Sequence, residues 1–455
     1  MKNVLQYIEA NRDRYLSELT ELIAIPSIST NPENKKDIQR CAEWMSKHLT
    51  SIGMEHAEIF PTAGHPVVYA DWLHAPGAPT VLIYGHYDVQ PVDPIDLWTS
   101  PPFKATIRNG NLYARGSADD KGQVFIHLKS IEAFLKNTGK LPINIKMLLE
   151  GEEEIGSEHL DPFIREHKKR LKADLVMVSD TSMFARGVPS VCYGLRGLAY
   201  MQIDLIGPNK DLHSGSYGGS VHNPIQALSE IVASLHDKNG RVTIPGFYDD
   251  VRSLTKKERD AFKKLPWSDK KYAKELGVKA LYGERGFTTL ERLWARPTLE
   301  CNGIWGGFTG EGAKTVLPSA ASAKISMRLV PDQSADKVAK LFQKHIDRIA
   351  PNTVQVKARY LHGGEAALTP IDSPGVKAAV AALEKGFGKK PLYQREGGSI
   401  PIVVQFKRVL GLDTVLLGFG LPDENAHAPD EHIALENYFG GIRSVAHFYQ
   451  ALADL

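Results

Sequence analysis

The chain has 455 residues, of which 42% are hydrophobic and 24% charged, and this composition excludes an intrinsically disordered protein. Its 55 basic and 53 acidic side chains give a formal charge of +2, which does not favour a nucleic acid or an anionic membrane as partner. Cys41, Cys192 and Cys301 lie far apart, so we expect reduced thiols. Because no signal peptide or membrane span is recognisable, the sequence predicts a cytoplasmic protein.

The first part of the chain alternates between helical and strand-like segments. Helical periodicity dominates the first fifty residues and returns between Gly122 and Leu135. Short apolar runs separate these helices and predict buried strands. This alternation predicts an α/β layered domain with a mostly parallel sheet. The predicted strands are Val67–Trp72, Thr80–Tyr84, Ile143–Leu149 and Leu175–Val178.

The pattern changes near residue 188, where a β-α-β-β-α-β order begins. That order predicts a separate α+β domain of ferredoxin-like type. Residues 240–290 are polar and rich in lysine, and we interpret them as an irregular insertion. The α/β pattern returns after Gly363-Gly364, so the sequence predicts one domain of residues 1–187 and 366–455 that carries residues 188–365 as an insertion. The later predicted elements are strands at Tyr200–Ile206, Leu299–Ile304, Ala320–Val330, Thr353–Arg359 and Thr414–Leu417, and helices at Pro224–Leu235, Ser334–Ile349, Gly375–Lys385 and Asn437–Ala451.

Histidine and acidic side chains follow several of the predicted strands. His86 and Asp88 close the apolar run Thr80–Val89, and side chains two residues apart on a strand point to the same side. In an open α/β sheet, ligands bind outside the carboxyl ends of the strands. We therefore expect these side chains to meet at one edge of the sheet. The converging set is His86, Asp119, Glu153, Glu154, Asp180 and His427.

Five of these six side chains, two imidazoles and three of the four carboxylates, suit divalent ions of intermediate softness, chiefly Zn²⁺, with Mn²⁺ or Co²⁺ as alternatives. Five protein ligands exceed the usual three of a single catalytic zinc, and they predict two ions roughly 3.5–4 Å apart that share a carboxylate and a water. Each signal alone has an ordinary explanation, since Asp often caps helices and acidic runs are usually solvated. The joint occurrence in this order predicts a hydrolase.

The segments around these residues are similar to those of a known family. The chain resembles the M20 family of metallopeptidases over nearly its whole length, and is most similar to the dipeptidase branch with the cytosolic nonspecific dipeptidases and carnosinase-like enzymes. The matching segments are Gly85-His-Tyr-Asp-Val89, Leu97-Trp-Thr-Ser-Pro-Pro-Phe103, Tyr113-Ala-Arg-Gly-Ser-Ala-Asp-Asp-Lys-Gly122, Glu150-Gly-Glu-Glu-Glu-Ile-Gly-Ser157, Asp211-Leu-His-Ser-Gly215 and Gly397-Gly-Ser-Ile-Pro401.

The resemblance implies how the metal ligands are shared between two ions in each subunit. His86 and Asp180 would hold one ion, Glu154 and His427 the other, and Asp119 would bridge them. Aminoacylase-like and carboxypeptidase-like relatives can place Glu at the position of Asp180, whereas the dipeptidase branch places Asp there. The resemblance thus implies a dipeptidase.

The resemblance also implies catalytic roles beside the metals. Glu153 would be the general base for attack of a metal-bridging hydroxide on the scissile carbonyl. Asp88 would orient His86, as a carboxylate partner commonly does for a metal-bound imidazole. A cis peptide bond would join Asp119 and Asp120.

The inserted domain would supply all but one of the substrate-binding residues and act as a lid and dimerisation domain; Ser399 lies outside its predicted bounds, so both domains would hold the substrate. His213 would stabilise the oxyanion, in its own or a neighbouring subunit of a homodimer. Arg328 would bind the terminal carboxylate of a small peptide, because its planar fork suits carboxylates. Thr315 and Ser399 would add hydrogen bonds, and we expect closure of the domains on substrate binding.

Two alternative functions stay open at this point. An N-acyl-amino-acid amidohydrolase would use the same metal chemistry with a different pocket. The segment Leu97–Phe103 and Asp180 favour the dipeptidase over this alternative. A non-catalytic binding protein on the same fold is disfavoured, because all the ligands and the base are present.

Overall fold

The computed structural model describes residues 1–455, which separate into two compact units. The first unit comprises Met1–Tyr193, Thr369–Gln394 and Pro401–Leu455, and the second comprises Gly194–Leu368 and Arg395–Ile400. Each unit has its own hydrophobic core. The role of the inserted segment as a lid or dimerisation domain stays a prediction.

The α/β character predicted for the start of the chain is confirmed. Apolar runs that are buried along their whole length form the strands at Val67–Trp72 and Thr80–His86, as expected for strands covered on both faces. The elements are α1 (Lys2–Ala10), α2 (Arg12–Ile23), α3 (Lys35–Ile52), β1 (Glu55–Phe60), β2 (Val67–Trp72), β3 (Thr80–His86), β4 (Thr106–Arg108), β5 (Asn111–Tyr113), α4 (Lys121–Thr138), β6 (Asn144–Glu150), α5 (Leu160–Glu166), β7 (Leu175–Val178) and β8 (Ser190–Leu195), whose end lies in the second unit.

The second unit contains seven further strands and six helices. Its longest elements match the predicted β-α-β-β-α-β order. The elements are β9 (Gly197–Ile206), β10 (Leu212–His213), α6 (Ser214–Tyr217), α7 (Pro224–Ser234), α8 (Lys256–Lys263), α9 (Asp269–Glu275), α10 (Thr289–Trp294), β11 (Thr298–Gly306), β12 (Val316–Leu317), β13 (Ala320–Leu329), α11 (Ala335–Ile349), β14 (Gln355–Gly364) and β15 (Ala367–Leu368).

The ferredoxin-like topology of this unit is confirmed by its four-stranded sheet. The strand order is β11-β13-β9-β14, and every neighbouring pair is antiparallel. Burial alternates along β9, where Met201, Ile203 and Leu205 enter the core. Helices α7 and α11 contribute Leu228 and Phe342 to the same core.

The interpretation of residues 240–290 as irregular is wrong, because α8, α9 and the start of α10 lie there. Each of these helices begins after a hydroxyl residue that accepts a backbone hydrogen bond, namely Thr255, Ser268 and Thr288. Helix α8 buries only Phe262, so an apolar stripe is absent from the sequence. The sequence feature that indicates these helices is the capping residue before each of them rather than hydrophobic periodicity.

The chain then returns to the first unit and completes its sheet, which contains the order β1-β2-β6-β3-β7 followed by one late strand and β8. No helix combines the length and apolar character required to cross a bilayer. The last elements are α12 (Pro374–Phe387), β16 (Leu392–Glu396), α13 (Pro401–Gln405), β17 (Thr414–Leu416), β18 (His432–Ala434) and α14 (Leu435–Ala453).

The centre of the sheet is parallel, and its outer strands are antiparallel. Strands β6, β3, β7 and β17 run in the same direction. Strands β1, β2 and β8 pair with antiparallel neighbours. Because parallel strands end at the same edge, residues that follow β3, β6 and β7 are brought together there.

A buried cluster around Lys129 on α4 has metal-binding residue types but a different role. The ammonium of Lys129 donates to Glu132 Oε2 at 2.7 Å, to His48 Nε2 at 2.9 Å and to Glu18. Burial and the charge of Lys129 lower the pKa of His48 to about 4, so the ring is a neutral acceptor. The ammonium thus takes the place that a cation would need among these three side chains.

Acidification should destabilise the first unit through two buried histidines. Burial lowers the pKa of His127 to about 3, and that of His48 is about 4, so the unfolded state binds more protons below pH 6.5. The free energy of unfolding should therefore fall by about 2 kcal/mol for each histidine between roughly pH 7 and pH 5. Denaturant titrations of the wild type and His127→Gln measure this slope. Equal slopes in the two proteins would contradict the assignment to His127.

Candidate metal centre

The central strands position most of the predicted ligands at one edge of the sheet. His86 is the last residue of β3, and Asp180 follows β7 by two residues. A short 3-10 turn at Glu153–Ile155 follows β6. Asp119 comes just before α4, and His427 lies in the loop between β17 and β18. These positions place the predicted ligands within reach of one another.

The carboxylate of Asp119 lies between the two histidines. Its Oδ1 is 3.1 Å from His86 Nε2, and its Oδ2 is 2.9 Å from His427 Nε2. Glu154 Oε2 is 3.2 Å from the same nitrogen of His427. The possible ligand atoms lie within 4.8 Å of one another in two groups, one with Asp180 and one with Glu154. Asp119 belongs to both groups.

The orientation of His86 fits metal binding. Its Nδ1 faces the carbonyl oxygen of Asp88 at 3.0 Å and the Asp88 carboxylate at 3.4 Å, so this nitrogen is the natural donor. The lone pair of Nε2 then points toward Asp119. Adjacent ligands of a tetrahedral ion with bonds of 2.0–2.1 Å would be separated by about 3.3 Å. The observed separations near Asp119 are close to this value, so the donor set fits divalent ions.

The electrostatics of the cluster also favour a cation. Burial raises the pKa of Asp180, and the negative charge of Asp119 adds to the effect. Burial raises the pKa of Glu153 to about 7, with a contribution from the charge of Glu154. Hydrogen bonds to Asp119 and Glu154 raise the pKa of His427 to about 10. Neighbouring negative charges contribute to each shift, and divalent ions would compensate those charges.

Asp88 also binds the backbone of the turn that carries Glu153 and Glu154. Its two carboxylate oxygens accept the backbone N–H groups of Glu153 at 3.2 Å and Glu154 at 3.1 Å. Gln90 donates to Glu154 Oε2 at 2.7 Å. Asp88 therefore links His86 to the turn that carries the two glutamates, a contact that spacing along the strand does not reveal.

A sequence model of peptidase family M20/M25/M40 matches residues 82–451. The chain belongs to this family. It is 33% identical to the Cys-Gly metallodipeptidase dug1 of Schizosaccharomyces pombe over 100% of this chain and 99% of the relative. The structure of human carnosine dipeptidase 1 covers 100% of this chain and 99% of its own with a TM-score of 0.86 at 31% identity. The metallo-carboxypeptidase Sso-CP2 from Sulfolobus solfataricus has a TM-score of 0.87 at 37% identity, covering 97% and 99% of the two chains.

The predicted resemblance to the dipeptidase branch of the M20 peptidases is confirmed by these relatives. The peptide bond between Asp119 and Asp120 is cis, as the resemblance implied. The fold and the metallopeptidase character of the chain follow from the same similarity.

In this M20 peptidase, two of the predicted substrate-binding residues lie near the strand pair β10–β12 of the second unit. His213 is exposed, and its Nδ1 accepts the backbone N–H groups of Gly215 at 3.1 Å and Ser216 at 3.3 Å. The neutral ring therefore carries its proton on Nε2. Thr315 is exposed, and its carbonyl oxygen accepts from Ser214 N at 3.0 Å.

The other two predicted substrate-binding residues are brought together in the second unit. Arg328 on β13 donates from Nη1 to Ser399 Oγ at 3.0 Å. Ser399 Oγ in turn donates to the carbonyl oxygen of Arg196 at 2.5 Å. The hydroxyl group thus connects two arginine residues, of which sequence reasoning identified one.

Sequence reasoning also missed Glu431, which holds the loop before Asp119. Glu431 Oε1 accepts the N–H groups of Ala118 at 2.9 Å and Asp119 at 3.0 Å. Its Oε2 accepts from Gly116 N at 3.0 Å and from Arg115 Nη1 at 2.6 Å. Glu431 and Arg115 are fully buried. The partners lie more than 300 residues away along the chain, so no local pattern could indicate the contact.

Replacing Glu431 by Gln should lower the free energy of unfolding by about 3–5 kcal/mol, because the buried Arg115 loses its counterion. The amide nitrogen also cannot accept the backbone N–H groups that Glu431 now binds. Denaturant unfolding measures the loss, and elemental analysis should show reduced metal content. Glu436→Gln, at an exposed site on α14, is the matched control and should stay within about 0.5 kcal/mol of the wild type. Equal stabilities of the two variants would refute the role of Glu431.

Proposed function

We propose that this protein is a metal-dependent dipeptidase whose centre lies at the carboxyl edge of the parallel strands. One observation carries the proposal: Asp119 directs one oxygen to each of two histidine-containing ligand groups. A carboxylate shared in this way is typical of two-metal hydrolases. The similarity to a Cys-Gly metallodipeptidase and to a carnosine dipeptidase supports dipeptides as the substrate class.

Two divalent ions are proposed, zinc in the first place and manganese or cobalt as alternatives. His86 and Asp180 would bind one, Glu154 and His427 the other, and Asp119 both. When bound, such ions polarise a carbonyl group and lower the pKa of a water molecule. The ligand distances and the negative charge of the cluster support this assignment.

Glu153 is proposed as the general base. Its carboxylate would take a proton from the attacking water and return it to the leaving amine. A pKa of about 7 suits both transfers at neutral pH. Asp88 would position Glu153 by accepting its backbone N–H.

The second unit would bind and polarise the substrate. His213 has a free Nε2–H, which suits it to stabilise the oxyanion of the tetrahedral intermediate. Arg328, with Ser399 and Thr315, would bind the terminal carboxylate of the peptide. Arg328 forms no ion pair within the protein, so its charge is available for a ligand.

A carboxypeptidase that acts on longer peptides is the second candidate. The observation that favours it is the 37% identity to the metallo-carboxypeptidase Sso-CP2. Both candidates require a free terminal carboxylate. They differ in how many residues precede the scissile bond.

The deciding experiment is a substrate panel on metal-stripped protein reloaded with Zn²⁺, Mn²⁺ or Co²⁺. We expect release of amino acids from dipeptides of the Ala-Gly type, with slower turnover of tripeptides. Hydrolysis confined to N-acetyl or N-succinyl amino acids would identify an amidohydrolase instead. Absence of both hydrolysis and stoichiometric metal would identify a binding protein.

We further propose a cytoplasmic homodimer that assembles through the second unit. Its edge strand β11 exposes Ile304 and Trp305, and Phe308 follows with 45% of its surface exposed. Neither Cys41 nor Cys301 forms a disulfide bond, which suits a reducing compartment.

Trp305→Glu should convert the dimer to a monomer, because a charge would replace an apolar side chain at the proposed contact. Analytical ultracentrifugation at micromolar concentration measures the change. Val278→Glu, another exposed apolar position of the second unit, is the control and should remain dimeric. A wild-type protein that sediments as a monomer would contradict the proposal.

A further inference from the structure

The second unit contains a cavity of about 390 Å³ with an unusual concentration of arginine side chains. All of its lining residues belong to this unit. The charged residues that line it are Arg196, Arg292, Arg296, Arg328, Glu284 and Glu300. The lining thus contains four guanidinium groups and two carboxylates, and its net positive charge favours binding of an anion.

Two other arginines of this unit form bidentate pairs with carboxylates. Arg296 forms two hydrogen bonds to Glu284, at 2.7 and 2.8 Å. Arg259 forms two hydrogen bonds to Glu291, at 2.6 and 3.0 Å. Such bidentate pairs are the usual way in which a protein compensates a buried guanidinium.

Arg196 and Arg328 have no such partner, and the same holds for Arg292, whose Nε donates to the carbonyl oxygen of Glu284 at 2.9 Å. Arg196 is only 9% exposed, its Nε donates to the carbonyl oxygen of Gly397 at 3.1 Å, and its Nη1 is buried without a hydrogen-bond partner. Arg328 donates to a neutral hydroxyl group rather than to a carboxylate. Neither arginine has a carboxylate oxygen within salt-bridge distance.

The charge of Arg328 also acts on the guanidinium group of Arg196. Burial, together with the positive charge of Arg328, lowers the pKa of Arg196 to about 10. Ser399 connects the two, since it accepts from the Arg328 side chain and donates to the Arg196 backbone. The charge of Glu300 in the same cavity partly offsets this repulsion, but Glu300 forms no salt bridge with either arginine. A shared oxyanion bound directly to both guanidinium groups would relieve the remaining repulsion and satisfy the unpaired N–H group.

We propose that Arg196 and Arg328 together form a two-arginine oxyanion site, in which Arg196 is a second residue that binds the free carboxylate of the peptide substrate. This inference rests on the proposed dipeptidase function. A carboxylate has two oxygens and about four lone-pair positions, so it can accept from two guanidinium groups at once. Arg196 would then determine the preference for substrates with a free carboxyl terminus.

The first test is a comparison of Ala-Gly with its neutral amide, Ala-Gly-NH₂, in steady-state kinetics. Arg196→Gln should raise KM for Ala-Gly by about 10- to 100-fold, because a hydrogen bond to a charged group contributes roughly 1.5–3 kcal/mol. The value of kcat should change by less than about threefold, since the scissile bond is not involved. Arg196→Lys should retain part of the affinity.

The amide and a matched charge variant separate this role from a structural one. Wild type should bind Ala-Gly-NH₂ poorly, and Arg196→Gln should weaken that binding no further. Arg285→Gln removes an exposed positive charge from the same unit and should leave KM unchanged. An unchanged KM for Ala-Gly in Arg196→Gln, or equal losses for Ala-Gly and its amide, would overturn the proposal.

A binding measurement keeps this proposal distinct from the proposed function. Calorimetric titration of metal-free, full-length protein with acetate and with inorganic phosphate probes the oxyanion site without catalysis. We expect binding by wild type and Arg285→Gln and its loss in Arg196→Gln. If this binding pattern is found but the protein hydrolyses no peptide, the dipeptidase function is refuted and a site for a free anion is supported. Equal binding by wild type and Arg196→Gln would refute the oxyanion site, even in an active dipeptidase.

Discussion

Glu153→Gln is expected to lower kcat by a factor of about 10²–10⁴ without loss of metal, because the amide cannot accept a proton from the attacking water. The substitution preserves the size of the side chain, and the backbone N–H of this residue would still bind Asp88. Steady-state kinetics on a dipeptide, with elemental analysis of the same sample, checks both parts of the expectation. Wild-type turnover in Glu153→Gln would remove Glu153 as the base.

Two controls separate loss of the base from a disturbed loop. Glu158→Gln neutralises an exposed acid in the same loop and should keep wild-type kcat. The pH dependence gives the second control. Burial raises the pKa of Glu153 to about 7 without bound metal, and bound cations would lower it. Only the deprotonated carboxylate is a base, so wild-type activity should show an acid limb at or below that pH. The residual activity of Glu153→Gln should lack this acid limb.

The residues that meet at the edge of the sheet could be predicted from the sequence, because the pattern of a strand and the direction of the chain are local properties. The run Thr80–His86 is uniformly apolar until His86, which identifies both the buried strand and the residue that leaves it. Strands that alternate with helices are parallel, so His86, Glu154 and Asp180 had to emerge at one edge. Asp119 and His427 belonged to the same predicted set although neither directly follows a strand, and the resemblance added their roles as ligands.

The supporting contacts could not be predicted because they join distant parts of the chain. Glu431 binds the backbone before Asp119 across more than 300 residues, and nothing in its neighbours distinguishes it from an ordinary acid. Lys129 is buried on α4, and two of its partners, Glu18 and His48, come from other helices. The position of Arg196 beside Arg328 likewise depends on the second unit as a whole. Polar residues acquire such roles from tertiary structure rather than from local sequence.

Asp119→Ala should remove both metal ions, whereas loss of an unshared ligand should leave one. Asp119 belongs to both ligand groups, so its removal leaves only His86 and Asp180 on one side and Glu154 and His427 on the other. Two protein ligands are fewer than the three of a typical catalytic site. We expect the metal content to fall from about two ions per chain to about zero in this variant, with activity below detection.

His427→Ala provides the discriminating comparison, because the group of His86, Asp119 and Asp180 remains complete. Its metal content should fall to about one ion per chain, and its activity should be largely lost. Asp96→Asn changes an exposed acid outside both groups and should retain full metal content. If Asp119→Ala kept one tightly bound ion, the shared carboxylate would not be a bridge. If His427→Ala lost both ions, the two groups would not act as separate sites, and a single cooperative centre would have to replace them.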